Sequence, residues 1–335
     1  MASTAYTAAR ERAAWLDRSS RGRIVVSGGD RRSYLQGLLT NDIEALTPGT
    51  GCYAAYLTAQ GRMIADLWVY ELGDVILIAV HGDVKDALVA RLDQFIFSED
   101  VQLGDVTATF AEIAVVGPES AAIVSRVLTG VAADALTALP EHGNLRAAFG
   151  DAPAIVTRIG DVGEAGFDLY VAAERRDDLA RALSASGAPE LDAEAAEAIR
   201  IEAGVPLFHR DMDEETIPLE AGIESRAISF TKGCYVGQEV IIRVLHRGHG
   251  RVARRLVSLA IDGSAVPERG AAIERDGRRV GEVTSAALSP RRGPIALGYV
   301  QRDVAEPDTI VRISSASAGG NGSAAISARV TQRIS

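Results

Sequence analysis

The sequence predicts an α+β protein in which two similar α+β domains precede a C-terminal antiparallel β-barrel. The chain has 335 residues, enough for two or three domains that each bury a core. A strand–helix–strand pattern occurs twice, and from Arg254 onward short strand patterns follow one another without a long helical pattern. We therefore expect domains at residues 1–110, 111–250 and 251–335, with part of the second able to complete the first.

The first α+β domain is predicted to open with a strand at residues 23–27, which the Gly28-Gly29 turn ends. Asp30 has the side chain of a helix N-cap, and Tyr34 and Leu38 continue the helical spacing. The remaining elements predicted for this domain are strands at 53–57, 63–70 and 74–80 and a helix at 83–97.

The second α+β domain repeats this order. Pro118 and Glu119 open its first helix, which runs through Val127, and Gly204 ends its last helix. Its predicted strands are 111–116, 154–159 and 166–171, and its later helices are 177–183 and 193–203.

The C-terminal region is predicted to be a barrel or sandwich of short strands. Asp276-Gly277 is a strong hairpin turn, and the run of serine and glycine from Ser314 to Ser323 is predicted to be a loop between strands. The strands are predicted at 256–261, 271–275, 279–284, 295–300, 309–313 and 325–333.

Composition excludes several classes of protein. Hydrophobic residues make up 47% of the chain, yet no run of about 18 apolar residues is present, so we expect no membrane span. The N-terminus lacks the apolar core of a secretory signal, and two distant cysteines, Cys52 and Cys234, make no disulfide framework. A reducing cytoplasm is therefore the expected location. The net charge of −10 argues against a general nucleic-acid binder.

The charge is unevenly distributed. Eleven carboxylates lie between Glu190 and Glu224, whereas none lies between Glu239 and Asp262. The second stretch instead carries five arginines and two histidines at residues 243–255. Two interpretations stay open: complementary solvated faces of one fold, or a basic surface that binds a carboxylate ligand, RNA or a protein.

Common catalytic motifs are absent. The chain has no Walker A loop, no strand-linked GxGxxG, no GxSxG and no HExxH. His246 and His249 are three residues apart, but glycines alternate with them, so we predict no metal site.

The segment Lys232–Glu239, KGCYVGQE, is the most informative motif. Lys232 is one of only two lysines among 35 basic residues, and it lies two residues from Cys234. A nearby cation and a helix N-terminus both favour a thiolate, so we predict Cys234 as a functional thiol and Lys232 as the cation that tunes it. The alternative is a buried, inert cysteine.

This motif resembles the signature of the YgfZ-type folate-binding proteins, K-G-C-[FY]-x-G-Q-E, which are relatives of the glycine-cleavage T-protein. The resemblance extends over most of the chain. It includes the segments 34–42, 60–67, 200–207, 216–220, 281–285 and 296–300. It implies a ring of three domains with tetrahydrofolate at its centre.

The resemblance also implies a folate site. Asp66 matches the second aspartate of a GGIIDDL-type strand, whereas Ala65 replaces the first. The alternation of Ile64, Asp66 and Trp68 would place this carboxylate on an apolar face, which is costly unless it is paired or faces a cavity.

Four further binding residues are weaker expectations. Glu202 matches the glutamate of an RLEAG segment that contacts the pterin in the family, with a solvent-exposed helix end as the alternative. Tyr56 and Gln36 are implied only to lie nearby, and Arg243 would meet the carboxylate tail of folate.

Three functions follow from these residues. The first is a tetrahydrofolate-binding accessory protein that uses Cys234 to support iron–sulfur cluster assembly or repair and iron–sulfur-dependent tRNA modification, with iron–sulfur enzymes or assembly proteins as partners. The second is an aminomethyltransferase, against which Ala65 and the KGCYVGQE motif count. The third is a non-catalytic folate scaffold in which Cys234 is structural.

Overall fold

The computed structural model describes residues 3–246, 251–314 and 325–334. Within them the α-helices are, in chain order, α1 (Thr4–Glu11), α2 (Arg31–Leu38), α3 (Lys85–Asp93), α4 (Ser120–Val127), α5 (Ala133–Ala138), α6 (Arg176–Ala185), α7 (Ala193–Ala203), α8 (Pro218–Ala221), α9 (Glu224–Ala227) and α10 (Gln238–His246).

The strands of the same residues form three sheets. They are β1 (Ala14–Asp17), β2 (Gly22–Ser27), β3 (Gly51–Leu57), β4 (Met63–Glu71), β5 (Ile76–Val80), β6 (Gln102–Asp105), β7 (Phe110–Val116), β8 (Asn144–Phe149), β9 (Ala152–Ile159), β10 (Gly166–Ala172), β11 (Arg254–Ile261), β12 (Ala272–Arg275), β13 (Arg278–Ser289), β14 (Gly293–Gln301), β15 (Ile310–Ser314) and β16 (Ile326–Arg333).

The two N-terminal sheets share one topology. The first has the order β3-β4-β5-β2-β6, and the second, read from its far edge, has the order β8-β9-β10-β7-β1. All their pairings are antiparallel. Helices α2 and α3 pack on the first sheet, and α4, α5 and α6 pack on the second. The predicted pair of similar α+β units is thus confirmed.

The sequence patterns missed three of the four edge strands of these two sheets. Strands β1, β6 and β8 were not predicted, and β1 comes from the N-terminus to pair with β7 of the second sheet. The helix predicted at 83–97 is shorter, because after Asp93 the chain closes turns from Phe95 to Leu92 and from Ile96 to Asp93. Gly204 ends α7 in the left-handed conformation, with φ 71°, as predicted.

The C-terminal strands close into a barrel with the order β11-β14-β13-β12-β15-β16. Asp276 and Gly277 both have positive φ, 51° and 74°, which suits the predicted hairpin turn. Apart from Ser314, the predicted loop at 314–323 lies outside the described residues, as do residues 247–250 of the basic stretch.

The segment that carries KGCYVGQE packs on the first sheet. Phe208, Met212, Leu219, Tyr235 and Ile241 all join the hydrophobic core of β3, β4 and β5. The motif therefore differs from its expected place in the second α+β domain, since its apolar side chains are buried against the first sheet. The domain boundaries themselves stay a prediction.

No helix of the described residues has both the length and the apolar character needed to cross a bilayer.

Candidate functional site

Asp66 lies on the face of β4 that is directed toward the second sheet. Its neighbours Ile64 and Trp68 on that face are half-buried, whereas Asp66 is only 4% exposed. The Tyr53 hydroxyl, on β3, donates a hydrogen bond of 2.8 Å to Asp66 Oδ2. Among the described residues no ion pair reaches Asp66, so this carboxylate is buried without a cationic partner.

Burial changes the acidity of this group. The loss of solvent raises the pKa of Asp66 to about 6, although the hydrogen bond from Tyr53 acts in the opposite direction. The carboxyl is therefore ionised at neutral pH but can bind a proton close to it. Such a poised group in a cleft is a candidate for binding or proton transfer.

A cavity borders Asp66 at the junction of four parts of the chain. Its walls are Tyr53, Asp66 and Trp68 of the first sheet, Glu141, His142 and Asp161 beside the second sheet, the segment Val205–Leu207, and Arg226. Its volume is about 30 Å³, room for a water molecule or two. A ligand larger than that has to move these walls apart.

Larger depressions lie elsewhere. One of about 120 Å³ is lined by the buried Asp211, but that carboxylate is paired with Arg200 Nη1 at 2.7 Å. Two others are larger still. One of about 770 Å³ follows β12 and β15 of the barrel, and one of about 750 Å³ lies beside α1 and α7. Neither is lined by a buried carboxylate. The smaller cavity at Asp66 is therefore the better site for chemistry.

Tyr53, His142 and Arg226 are among the residues of this cavity that no sequence pattern identified. Arg226 is exposed at its mouth, with its guanidinium carbon 5.6 Å from the centre of the Tyr53 ring. His142 lies in the wall, and burial lowers its pKa. Because Tyr53, His142 and Arg226 come from separate segments and share no motif, no local pattern could have grouped them.

Glu202 is placed differently from the expectation. It is buried, and its carboxylate accepts hydrogen bonds from Tyr6 at 2.6 Å, from Ser289 and from Arg10. It does not line the Asp66 cavity. Glu202 therefore links α7 to α1 and the barrel. This placement excludes the solvated helix end, whereas the pterin contact stays a prediction.

Gln36, Tyr56 and Arg243 also lie away from the cavity. The Gln36 side chain donates to Asp42 and accepts from the backbone of Ile43, so it fixes the loop after α2. Tyr56 points to the opposite face of β3 from Tyr53, because adjacent strand residues alternate. Arg243 is exposed on α10, and contact of this stretch with RNA stays a prediction.

Sequence models of two domains match nearly the whole chain. The N-terminal domain of the glycine cleavage T-protein (GCVT) matches residues 2–232, and the glycine cleavage T-protein C-terminal barrel domain matches residues 254–332. The chain belongs to the glycine cleavage T-protein family. This family uses tetrahydrofolate as a substrate or cofactor.

The names of similar proteins are consistent with this family, since those proteins are aminomethyltransferases. An aminomethyltransferase of Rubrobacter xylanophilus is 32% identical over 296 residues, which span 88% of this chain and 78% of that protein. One of Streptomyces coelicolor is 33% identical over 315 residues, which span 91% and 82%. The crystal structure of the glycine cleavage system aminomethyltransferase T from Bartonella henselae superposes with a TM-score of 0.86, at 23% identity over 98% of this chain and 87% of that one.

The KGCYVGQE loop lies almost wholly between the two matched ranges of the T-protein family. Within it, Lys232 Nζ donates to the backbone oxygens of Gln36, Leu39 and Asn41, at 2.6, 2.7 and 2.8 Å. Burial lowers the pKa of Lys232 to about 8. All three ammonium protons are thus used to hold the C-terminal end of α2 and the residues after it, which gives Lys232 a positioning role, whereas its predicted tuning of Cys234 stays a prediction.

Gly237 anchors the other end of the loop. Its φ is 85°, and a Cβ there would lie 2.5 Å from the carbonyl oxygen of Thr58. The loop therefore presses directly on the turn between β3 and β4, the turn that precedes Asp66. Gly233, in contrast, has open space around it.

The two thiols of this T-protein family member differ in environment. Cys234 is exposed between the two anchors, whereas Cys52 is buried in β3. Burial raises the pKa of Cys52 to about 12, so that thiol is inert. The predicted alternative of a buried Cys234 does not match this exposure.

Proposed function

We propose that the protein binds tetrahydrofolate at Asp66 and transfers an aminomethyl-derived one-carbon unit to it. The observation that carries this proposal is the buried Asp66 carboxylate on the wall of a cavity, which forms no ion pair with any described residue, in a chain whose named relatives are aminomethyltransferases.

The chemistry of the cavity suits a folate. When bound, tetrahydrofolate supplies the ring nitrogens that take up the one-carbon unit. Asp66 accepts a hydrogen bond from an N–H of the ligand, while Tyr53 fixes its Oδ2 atom. Trp68 and Tyr53 offer aromatic faces to a flat ring, and Arg226 at the mouth suits a carboxylate tail better than the distant Arg243.

The size of the cavity sets a condition. Pockets that hold small molecules have volumes of roughly 300–1,000 Å³. The cavity here is far smaller, so folate binding requires its walls to separate. The segments at 141–142 and 205–207 and the Arg226 side chain are the parts that would move.

The test is formation of methylene-tetrahydrofolate from an aminomethyl-lipoyl carrier protein, with ammonia release. Asp66→Asn should lower the rate about 100-fold or more, because a positioned acid–base group contributes that much. Asp262→Asn, at an exposed site, is the matched control. No turnover by the wild-type protein, with tetrahydrofolate and carrier both present, would refute the transferase.

We also propose a second candidate function, a folate-linked accessory role for iron–sulfur enzymes that includes tRNA modification. The exposed Cys234, presented between the anchors Lys232 and Gly237, favours it. Residues 233–253 lie outside both matched domain ranges, although the alignments with the named aminomethyltransferases, which span 88% and 91% of the chain, run through them.

The second candidate is tested in a bacterial strain that lacks its own YgfZ-type protein. The wild type and Thr231→Ala, a change at the exposed residue just before this loop, should restore methylthiolation of tRNA, whereas Cys234→Ser should not. Rescue by Cys234→Ser but not by Asp66→Asn would favour the folate scaffold instead. Failure of the well-expressed wild type would leave the aminomethyltransferase as the single surviving proposal.

A further inference from the structure

We propose that His81, Asp83 and His209 form a binding site for a zinc-type divalent transition-metal ion. One ligand atom from each residue lies within 4.8 Å of the others. Asp83 Oδ2 is 3.6 Å from His81 Nδ1 and 3.9 Å from His209 Nδ1. Ligand atoms around a tetrahedral zinc ion are about 3.4 Å apart, so these two separations need only a small contraction.

The local structure aims both rings at one point. His81 Nδ1 is buried and has no hydrogen-bond partner, which leaves a ring nitrogen available for a ligand. His209 Nε2, on the far side of its ring, lies 3.4 Å from Glu214 Oε1. A histidine that ligates a metal through one nitrogen commonly donates the other N–H to a carboxylate, as this pair can.

The backbone holds these residues in place from two segments. His81 follows β5, and the next residue, Gly82, fits so closely that a Cβ would lie 2.2 Å from the oxygen of Ser20. His209 lies in a tight turn closed by its N–H to the oxygen of Met212, with φ 63°. Positive φ in a residue other than glycine costs free energy and concentrates at functional positions.

The ligand set indicates the class of metal. Two imidazoles and one carboxylate suit zinc and neighbouring transition metals, whereas magnesium and calcium prefer oxygen alone. Three protein ligands leave a coordination position for water or a substrate atom. Both histidines are partly exposed, so an ion can enter from solvent.

The site adjoins the Asp66 cavity. Leu67 pairs with Val80 across β4 and β5, so continuing this register places His81 beside Asp66. The metal site does not depend on the proposed transferase, since it uses none of the residues assigned to folate.

The experiment is equilibrium dialysis of the tag-free, chelator-treated chain against zinc. The wild type and His246→Gln, which changes an exposed histidine on α10, should each bind one zinc ion per chain. His81→Gln and His209→Asn should lose this binding by 100-fold or more, and asparagine at 209 tolerates the positive φ. Glu214→Gln should weaken it by about 10- to 100-fold.

Two results would overturn the site. One is a wild-type chain that binds no stoichiometric zinc, and the other is undiminished binding by both His81→Gln and His209→Asn. Thermal unfolding without zinc checks that each variant folds. If His209→Asn does not, His81→Gln decides, because its backbone φ is negative at −59°.

Discussion

Two buried aspartates on matching sheets have opposite surroundings. Asp66 on β4 and Asp168 on β10 both lie at the junction of the two sheets, and burial raises the pKa of both carboxyls. Asp168 accepts hydrogen bonds from Arg18 Nη1 at 3.1 and 3.2 Å. Asp66 has the Tyr53 hydroxyl and no ion pair among the described residues.

The partners of Asp168 form a closed network of charge. Its other members are Arg18, Arg21, Arg23, Glu112 and Asp161, all buried or nearly so. Because these charges compensate one another, the network stabilises the junction and offers little to a ligand. Asp66 lacks such compensation. The difference teaches that burial alone does not mark a site, whereas burial without a partner beside a cavity does.

The largest effect is expected from opening the charge network. Arg18→Met would leave Asp161, Asp168 and Glu112 with less positive charge, and we expect it to lower the free energy of unfolding by about 3–5 kcal/mol. Urea unfolding at pH 7 measures this. Arg12→Met, at an exposed ion pair with Glu119, is the control and should change it by about 0.5 kcal/mol or less. Equal effects of the two changes would show that the network is not stabilising.

Asp66→Asn should change the free energy of unfolding in the opposite direction and stabilise the protein at neutral pH. The folded-state pKa of about 6 lies above the usual 3.8, so the folded protein holds this proton more tightly than the unfolded chain does. The contribution of the protonated Asp66 carboxyl to the free energy of unfolding is therefore fully present below pH 3.8 and is lost as the pH rises through 6. At pH 7.5 the asparagine variant should be more stable by up to about 3 kcal/mol.

Urea unfolding of this variant between pH 4 and 8 tests that sign. The gain should shrink toward zero as the pH falls below 4, while Asp262→Asn should show no such trend. A variant that is less stable than the wild type at pH 7.5 would mean that Asp66 has a stabilising partner, and the contrast with Asp168 would be lost.

A smaller difference in stability is expected between two glycine substitutions in the KGCYVGQE loop. Gly237→Ala forces an alanine into φ 85° against the Thr58 oxygen and should cost roughly 1–3 kcal/mol. Gly233→Ala has open space and should be nearly neutral. Thermal unfolding of the pair measures the difference. Comparable melting temperatures would indicate that the loop is not anchored on the β3–β4 turn.

The smallest effect on stability is expected at the exposed thiol. Cys234→Ser should change the free energy of unfolding by no more than about 0.5 kcal/mol, since the side chain is exposed. Any loss of biological function in this variant then reflects the thiol itself. A loss of stability above 2 kcal/mol would instead assign Cys234 to the core.

The sequence predicted the central strands and most helices better than the edge strands. Periodicity located the central strands and most helices, since alternating apolar residues are a local property. It missed β1, β6 and β8. The short β6 has few buried side chains, so it shows no clear apolar alternation. It also ended the helix after residue 83 too late, because the spacing of Leu88, Leu92 and Ile96 continues past the point where the chain turns.

The candidate site was predicted in part. Asp66 was predicted from the resemblance to a GGIIDDL-type strand, and its place on an apolar strand face supported that prediction; the structure supplies a cavity beside it. That Lys232 donates to carbonyl oxygens nearly 200 residues earlier in the chain could not be predicted from its sequence neighbours, and its tuning of Cys234 stays a prediction. The metal ligands were missed because His81 and His209 share no motif.

By itself the sequence determined the order of α+β units and barrel, the left-handed helix end at Gly204, and the place of an uncommon lysine–cysteine pair. Only the tertiary structure decided which polar groups are satisfied. The Glu202 carboxylate accepts a hydrogen bond from Tyr6, 196 residues earlier in the chain, whereas Asp66 has no ion pair within the part of the chain that the structure describes. The physical reason is that backbone propensity acts between neighbours in sequence, whereas the cost of burying a charge depends on partners brought together by packing.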